Sequence, residues 1–447
     1  MYKLLVNGRL VNEGRIADTD LLIKGDRIER IGAGPVPART EIIDLAGRHL
    51  FPGLIDDQVH CREPGLTHKG TLASESLAAA CGGVTSFLDM PNTSPPTVDR
   101  EALAAKKRIA AATCHVNYGF YLGATNTNLE EIKRVGPRDA CGVKIFMGAS
   151  TGNMLVDDSD TLEAIFAEAQ LPIATHCEDS PMIWEAERAF RERYGEAVPI
   201  SAHPEIRSAE ACYKSSSLAV RLAKRHGTRL HVLHISTARE LALFAPGPIE
   251  NKQITAEVCV HHLWFEQSRY ADLGARIKCN PAIKTAADRE GLQEGVRSGL
   301  IDVIATDHAP HTLEEKARTY FDAPSGLPLV QHSLMMLLEQ HRQGLFSLET
   351  IVQKAAHNPA TLFGIVERGF VREGYFADLV AVDLSASTTI TSDQVLYKCG
   401  WSPLEGLKFH SSIFMTLING VAVYRDARSS APPSGRALEF RARQLRH

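Results

Sequence analysis

An α/β fold, a (β/α)8 barrel carrying a small β-sandwich built from both ends of the chain, is what this 447-residue sequence predicts. Three observations lead there. The N-terminal stretch reads as short alternating strands, "YKLLVNGRLV", "TDLLIKGDRIERIG" and "TEIIDLAGRHL", punctuated by Asn-Gly and Lys-Gly-Asp turn signals. From Phe51 the texture changes to apolar runs alternating with Ala- and Glu-rich segments of helical period, the pattern of βα units around a parallel sheet. After "NPATLFG" the turn-rich β texture returns in "GFVREGYFADLVAVDL" and "SSIFMTLINGVAVYRD".

The barrel strands are expected, in order, at "GLIDDQVH", "VTSFLDM", "HVNYGFYLG", "GVKIFMG", "LPIATHCE", "LHVLHIS", "ITAEVCVHH" and "DVIATDHAPH". Spread over roughly 300 residues, these runs suit a barrel with loop insertions. The expected division is residues 1–52 and 365–447 for the sandwich and 53–364 for the barrel. The closing "SSAPPSGRALEFRARQLRH" is polar and Pro-rich at first and is expected to be an arm or loose tail.

Composition narrows the function classes. A formal net charge of -4, without a long Lys or Arg run, gives no field to collect nucleic acid or an acidic membrane surface. No apolar segment approaches the roughly 18 residues of a membrane span, and the N-terminus lacks a signal-peptide pattern. Nine cysteines without CxxC pairing fit reduced thiols. A cytoplasmic enzyme acting on small molecules is the expectation.

The ends of the candidate strands carry His60, Lys144, His176, His234 and Asp307. In a (β/α)8 barrel these ends open on one face, where imidazole and carboxylate ligands suit zinc or a similar divalent ion. A lone strand-end histidine is more often packed or solvent-facing than a ligand; the joint occurrence makes the case. In "LHVLHIS", His231 and His234 are three apart, so alternation sends His234 inward and His231 outward, beneath a helix. His261 and His262 are read as structural or as supports of the ligands, and His357 as a helix-packing residue. Lys144, inside an apolar strand, faces a desolvation cost that lowers its pKa. The plain alternative is a buried stem with its ammonium in water.

Taken together, "DDQVHCREPG", "DMPNTSP", "VKIFMG", "THCED", "LHIST", "ATDHAPH", "AAHNPATLFG" and "GYFADLVAVD" resemble the cyclic amidohydrolase superfamily, and within it the dihydroorotases. The resemblance runs over nearly the whole chain. It implies reversible, zinc-dependent interconversion of N-carbamoyl-L-aspartate and L-dihydroorotate in pyrimidine biosynthesis. It also implies His60 and Asp307 as ligands of one zinc, His176 and His234 as ligands of another, and a carbamylated Lys144 as the bridge. Arg62, Asn92 and His311 would hold the substrate carboxylate, and Asn280 would contact the ring. Gln58 departs from the family pattern, standing where His-x-His has its first histidine, so that one metal position is weakened and one or two ions per chain are expected. A homodimer, with aspartate transcarbamoylase as a possible partner, completes the implication.

Such a reaction needs a polarised amide carbonyl, an activated water and an acid for the leaving nitrogen, with Asp307 as the proton carrier. Arg62 would grip a carboxylate through its guanidinium fork; its plain alternative is an ion pair with Glu63, and that of Asn92 is a turn residue. Hydantoinase-like and allantoinase-like enzymes share the metal ligands, so the barrel alone does not select the substrate. A third possibility is a catalytically impaired homologue that stabilises a transcarbamoylase. The segment "MGASTGNM" is the candidate closing loop.

Overall fold

The computed structural model describes residues 1–148, 154–429 and 432–441, so most of the candidate closing loop lies outside the described residues. At its centre is an eight-stranded parallel sheet, hydrogen-bonded in chain order. Its strands are Leu54–Val59, Val84–Asp89, Asn117–Gly123, Gly142–Phe146, Ile173–His176, Leu230–Val232, Ile254–Cys259 and Val303–Ala305. Each falls within one of the predicted runs. The first and last strands meet through a parallel bridge between Val59 and His308, with the His60 N–H donating to the His308 carbonyl at 2.7 Å.

Nearly every strand residue is buried, which is why these strands read as continuous apolar runs rather than as alternation. The intervening helices include Leu72–Cys81, Arg100–Thr113, Ser159–Glu168, Ala209–His226 and Ala286–Arg297. Thr71, Asp99, Asp158, Ser208 and Thr285 cap them through their side chains. Each such cap contributes about 1 kcal/mol over alanine.

The chain ends form one mixed nine-stranded sheet. Tyr2–Asn12 pairs antiparallel with Arg15–Lys24 on one side. On the other it pairs in parallel with Glu41–Asp44 and then with His49–Pro52. His49–Pro52 in turn joins Leu379–Asp383, which brings in Ser412–Ile418 and Val421–Arg425. Leu5, Leu21, Ile43, Leu379 and Leu417, drawn from both ends, fill a core of its own. Phe51, Val380 and Ile418 instead join the core of the barrel.

Only Gly53 separates the sheet from the first barrel strand, and a Cβ there would lie 2.1 Å from Thr85 Oγ1. His357 packs as expected: it stacks on Phe370 at 4.3 Å, accepts the Glu13 N–H at 2.9 Å and bonds the Gly369 carbonyl at 2.6 Å. The described part of the C-terminal segment is an arm docked on the barrel, bridging Ala437 to Tyr118 and Phe440 to Ile365. Among the described residues, no helix is long and apolar enough to cross a membrane.

Candidate active site

The strand ends converge as the barrel requires. Gln58, His60, Lys144, His176, His234 and Asp307 line one cleft together with Arg62, Asn92, Asn280, Ser325 and Gly326. Arg62, His234 and Asp307 have φ of 67°, 40° and 46°, left-handed conformations for side chains that rarely adopt them. Such strain costs on the order of 1 kcal/mol or more per residue and persists only where the surroundings enforce it.

The ligand candidates fall into two groups. His176 Nδ1 faces His234 Nε2 at 3.0 Å, while the other nitrogen of His176, Nε2, lies 3.0 Å from Glu178 Oε2. An imidazole steered by a carboxylate, with its free nitrogen turned toward a second imidazole, is the arrangement that seats a divalent ion. Burial and the His176 charge push His234 well below the usual imidazole range, so it stays a neutral donor.

In the second group His60 Nε2 lies 3.0 Å from Asp307 Oδ1, and His60 Nδ1 lies 2.7 Å from Asn92 Oδ1. Gln58 Nε2 donates to the same Asp307 oxygen at 3.1 Å, and Gln58 Oε1 turns toward the Cys259 thiol at 3.8 Å. The carboxamide thus holds Asp307 and directs its oxygen elsewhere. Burial works to raise the Asp307 pKa, but His60 outweighs it and keeps the carboxyl below its ordinary value.

Lys144 stands between the groups, 1% exposed, and burial brings its pKa down to about 8. Its Nζ lies over the Phe146 ring at 4.7 Å rather than in water. These donors, imidazole and carboxylate with a buried amine between them, fit a zinc-type centre.

The opposite wall is cationic. Arg62 is 3% exposed; its Nε donates to the Pro310 carbonyl at 3.0 Å and its Nη2 approaches His311 Nε2 at 3.0 Å. Glu63 is engaged elsewhere, accepting the Leu72 N–H at 2.8 Å. Lys69 Nζ approaches His311 Nδ1, also at 3.0 Å. Burial and the Arg62 charge hold His311 well below the usual imidazole range, and a neutral imidazole accepts at one nitrogen only. His311 Nε2 also lies 3.1 Å from the Ser325 carbonyl, to which it donates, so Nδ1 accepts from Lys69 and the Arg62 fork is left as the surplus donor. His311 itself lies behind Arg62 rather than on the cleft wall. Asn280 does line the cleft, with a buried Oδ1 that has no hydrogen-bond partner among the described residues.

One expectation is overturned. His231 does not point outward under a helix: it reaches Asp57 Oδ2 of the first strand at 3.0 Å and Glu257 Oε2 of the seventh at 3.6 Å, across the barrel interior. The sixth strand ends at Val232 and His234 takes a positive φ, so alternation cannot be counted through to His234. Asp57, His231 and Glu257 form a compact buried group beneath the cleft, and Cys259, His261 and His262 form another. Glu257 also accepts the His234 N–H at 2.9 Å, fixing that residue from below. Sequence reasoning missed Glu178, Glu257 and Lys69; "THCED", which puts an acid two residues after a ligand histidine, was the one available signal.

The family model described as "Amidohydrolase family" matches residues 49–423. A dihydroorotase from Halobacterium salinarum is 35% identical over 423 residues, covering 93% of this chain and 96% of that protein. One from Methanothermobacter thermautotrophicus is 32% identical, covering 90% of this chain and 89% of its own length. Among solved structures, L-hydantoinase (dihydropyrimidinase) from Arthrobacter aurescens superposes with a TM-score of 0.92 at 27% identity, covering 98% of this chain and 99% of that one. Dihydropyrimidinase from Brevibacillus agri gives a TM-score of 0.89 at 25% identity, with 98% and 99% coverage.

Proposed function

The chain belongs to the amidohydrolase family and is a cyclic amide hydrolase, and from that premise we propose that it is a zinc-dependent dihydroorotase, interconverting N-carbamoyl-L-aspartate and L-dihydroorotate in pyrimidine biosynthesis. The observation that carries this reading over its neighbours is the buried Arg62 fork on the cleft wall, with which no carboxylate forms an ion pair among the described residues. A ring bearing a carboxylate supplies the missing acceptor; a ring without one leaves a buried charge unpaired. The dihydroorotase names of the curated relatives support it further.

In this reading His176 and His234 would hold one ion, His60 and Asp307 would hold a second, and Lys144, once carbamylated on Nζ, would supply carboxylate oxygens to both. When bound, the metal supplies Lewis acidity at the scissile carbonyl and at the attacking water. Asp307 receives the proton of that water at Oδ2, the oxygen that Gln58 and His60 do not engage, and returns it to the leaving amide nitrogen. Asn92, held through Oδ1 by His60, keeps its Nδ2 for the substrate carboxylate beside Arg62. Fixing the carboxylate orients the carbonyl for attack, the entropic share of the catalysis. Nine free cysteines accord with a reducing, cytoplasmic setting. A homodimer, alone or with aspartate transcarbamoylase, is the assembly this reading includes.

The second reading, a hydantoinase or dihydropyrimidinase, is favoured by the likeness to the Arthrobacter aurescens enzyme. Turnover of dihydroorotate, dihydrouracil and hydantoin by the purified protein, with its metal content measured alongside, decides. Dihydroorotate is expected to be preferred strongly. Equal turnover of a carboxylate-free ring would give the site to the second reading, and absence of all turnover in metal-loaded protein would point to a non-catalytic partner.

A further inference from the structure

Two stretches of the cleft wall carry no metal ligand: the segment ending in Asn280 and the loop at Ser325 and Gly326. One buried lysine ties them together. Lys316, 3% exposed, donates through Nζ to the Lys278 carbonyl at 3.0 Å, the Pro324 carbonyl at 2.9 Å and the Gly326 carbonyl at 3.0 Å. The Lys278 carbonyl also accepts the Gly326 N–H at 2.9 Å, so the two stretches are joined twice at one point. From the other side Lys278 Nζ donates to the carbonyls of Tyr320 at 2.5 Å and Ala323 at 2.6 Å.

Three carbonyl acceptors require three N–H donors, which the ammonium has and the neutral amine lacks. Burying that charge is costly, and among the described residues no carboxylate pairs with it; the adjacent Glu315 is committed to Lys69 and His68. Burial, with the like charges of Lys278 and Arg62, pushes the Lys316 pKa well below the ordinary lysine value, and the three carbonyl acceptors work against this by favouring the ammonium. The three carbonyls offset part of that cost, and a negative charge arriving nearby would offset more. The Pro324 carbonyl belongs to the same peptide unit as the Ser325 N–H, so an ammonium on that oxygen polarises the N–H of a residue that lines the cleft. At Gly326, φ 143°, a Cβ would lie 2.4 Å from the Ala309 carbonyl oxygen, so the loop backbone passes close to Ala309 where only glycine fits.

We propose that Lys316 is a positioning and specificity-determining residue, which locks the Ser325–Gly326 loop against the Asn280 segment and biases the cleft toward a carboxylate-bearing ring. This rests on the dihydroorotase reading. It is tested with Lys316→Met in the metal-loaded enzyme. KM for dihydroorotate and the inhibition constant of orotate are expected to rise at least about tenfold, the scale of one hydrogen bond to a charged group. In the same variant kcat should change less than about threefold, with metal content and uracil binding unaltered. Lys316→Ala supplies the second arm: ethylammonium, filling the vacated space, should restore orotate affinity where n-propanol does not.

Unchanged orotate affinity in folded Lys316→Met, equal loss for orotate and uracil, or equal rescue by propanol would overturn the proposal. If wild type turned over dihydrouracil as readily as dihydroorotate, the substrate reading itself would fail, an outcome visible before any variant is made.

Discussion

Glu178 Oε2 lies 3.0 Å from His176 Nε2, and the same oxygen is gripped by the Arg207 guanidinium. This carboxylate therefore sets which imidazole nitrogen is free for a ligand role, and Arg207 sets the carboxylate. Burial works to raise the Glu178 pKa, but Arg207 and His176 outweigh it and bring the value down to about 2. Replacing either partner leaves a buried charge exposed to no solvent.

An acid-dependent contribution to stability follows. The folded pKa lies below the unfolded value of about 4.5, so the contribution is complete above that pH and is lost as pH falls toward 2. Its size is on the order of 3 kcal/mol. In the metal-free protein, Glu178→Gln should be less stable than wild type by urea titration at pH 7, with the difference shrinking between pH 5 and pH 2. A difference independent of pH would remove Glu178 from this role.

Arg62→Met should cost dihydroorotate about 1.5 to 3 kcal/mol in transition-state binding, roughly 10- to 150-fold in kcat/KM. Dihydrouracil should remain a poor substrate of both forms, since it never used the fork. Steady-state kinetics on the two rings check this. A uniform loss on both would mean that Arg62 supports the loop through Pro310 rather than reading the carboxylate.

Much of the barrel was legible because a strand buried on both faces must be apolar along its length, as "VTSFLD" at Val84–Asp89 is. His60, His176, His234 and Asp307 were legible because parallel strand ends share one rim. What could not be read depends on where a strand stops. His231 was misplaced because alternation was counted through Val232, where the strand has already ended. The partners Glu178–Arg207, Lys69–Glu315 and Lys316–Pro324 form between loops, and loop geometry has no period to reveal it.

Lys144→Ala is expected to lose activity and at least one metal per chain. The motive is a buried amine whose pKa burial brings to about 8, so that much of it is neutral at slightly alkaline pH. Carbamylation joins that neutral Nζ to the carbon of CO2 and releases one proton, so at fixed dissolved CO2 metal-free enzyme resupplied with zinc should regain activity faster as pH rises toward 8 and level off above it. Short carboxylic acids should partly restore Lys144→Ala by standing in for the bridging oxygens. Full metal content and full activity in Lys144→Ala would end the carbamate reading.

The ion near His60 and Asp307 is expected to be the exchangeable one, because Gln58 gives its N–H to Asp307 and turns its oxygen toward Cys259. To ligate, the carboxamide would have to surrender the Asp307 hydrogen bond and present an oxygen, a poorer zinc donor than imidazole nitrogen. Loss of a residue that merely supports a ligand already costs about 10- to 100-fold in metal affinity, and loss of an imidazole ligand should cost at least as much. Dialysis of wild type against a weak chelator should therefore leave about one metal per chain, and zinc in moderate excess should raise activity. Gln58→His should raise the retained count toward two, read by elemental analysis, with the requirement for added zinc reduced in parallel. Two metals held by dialysed wild type would show instead that a water held by Gln58, or Gln58 turned about its amide, replaces the imidazole fully.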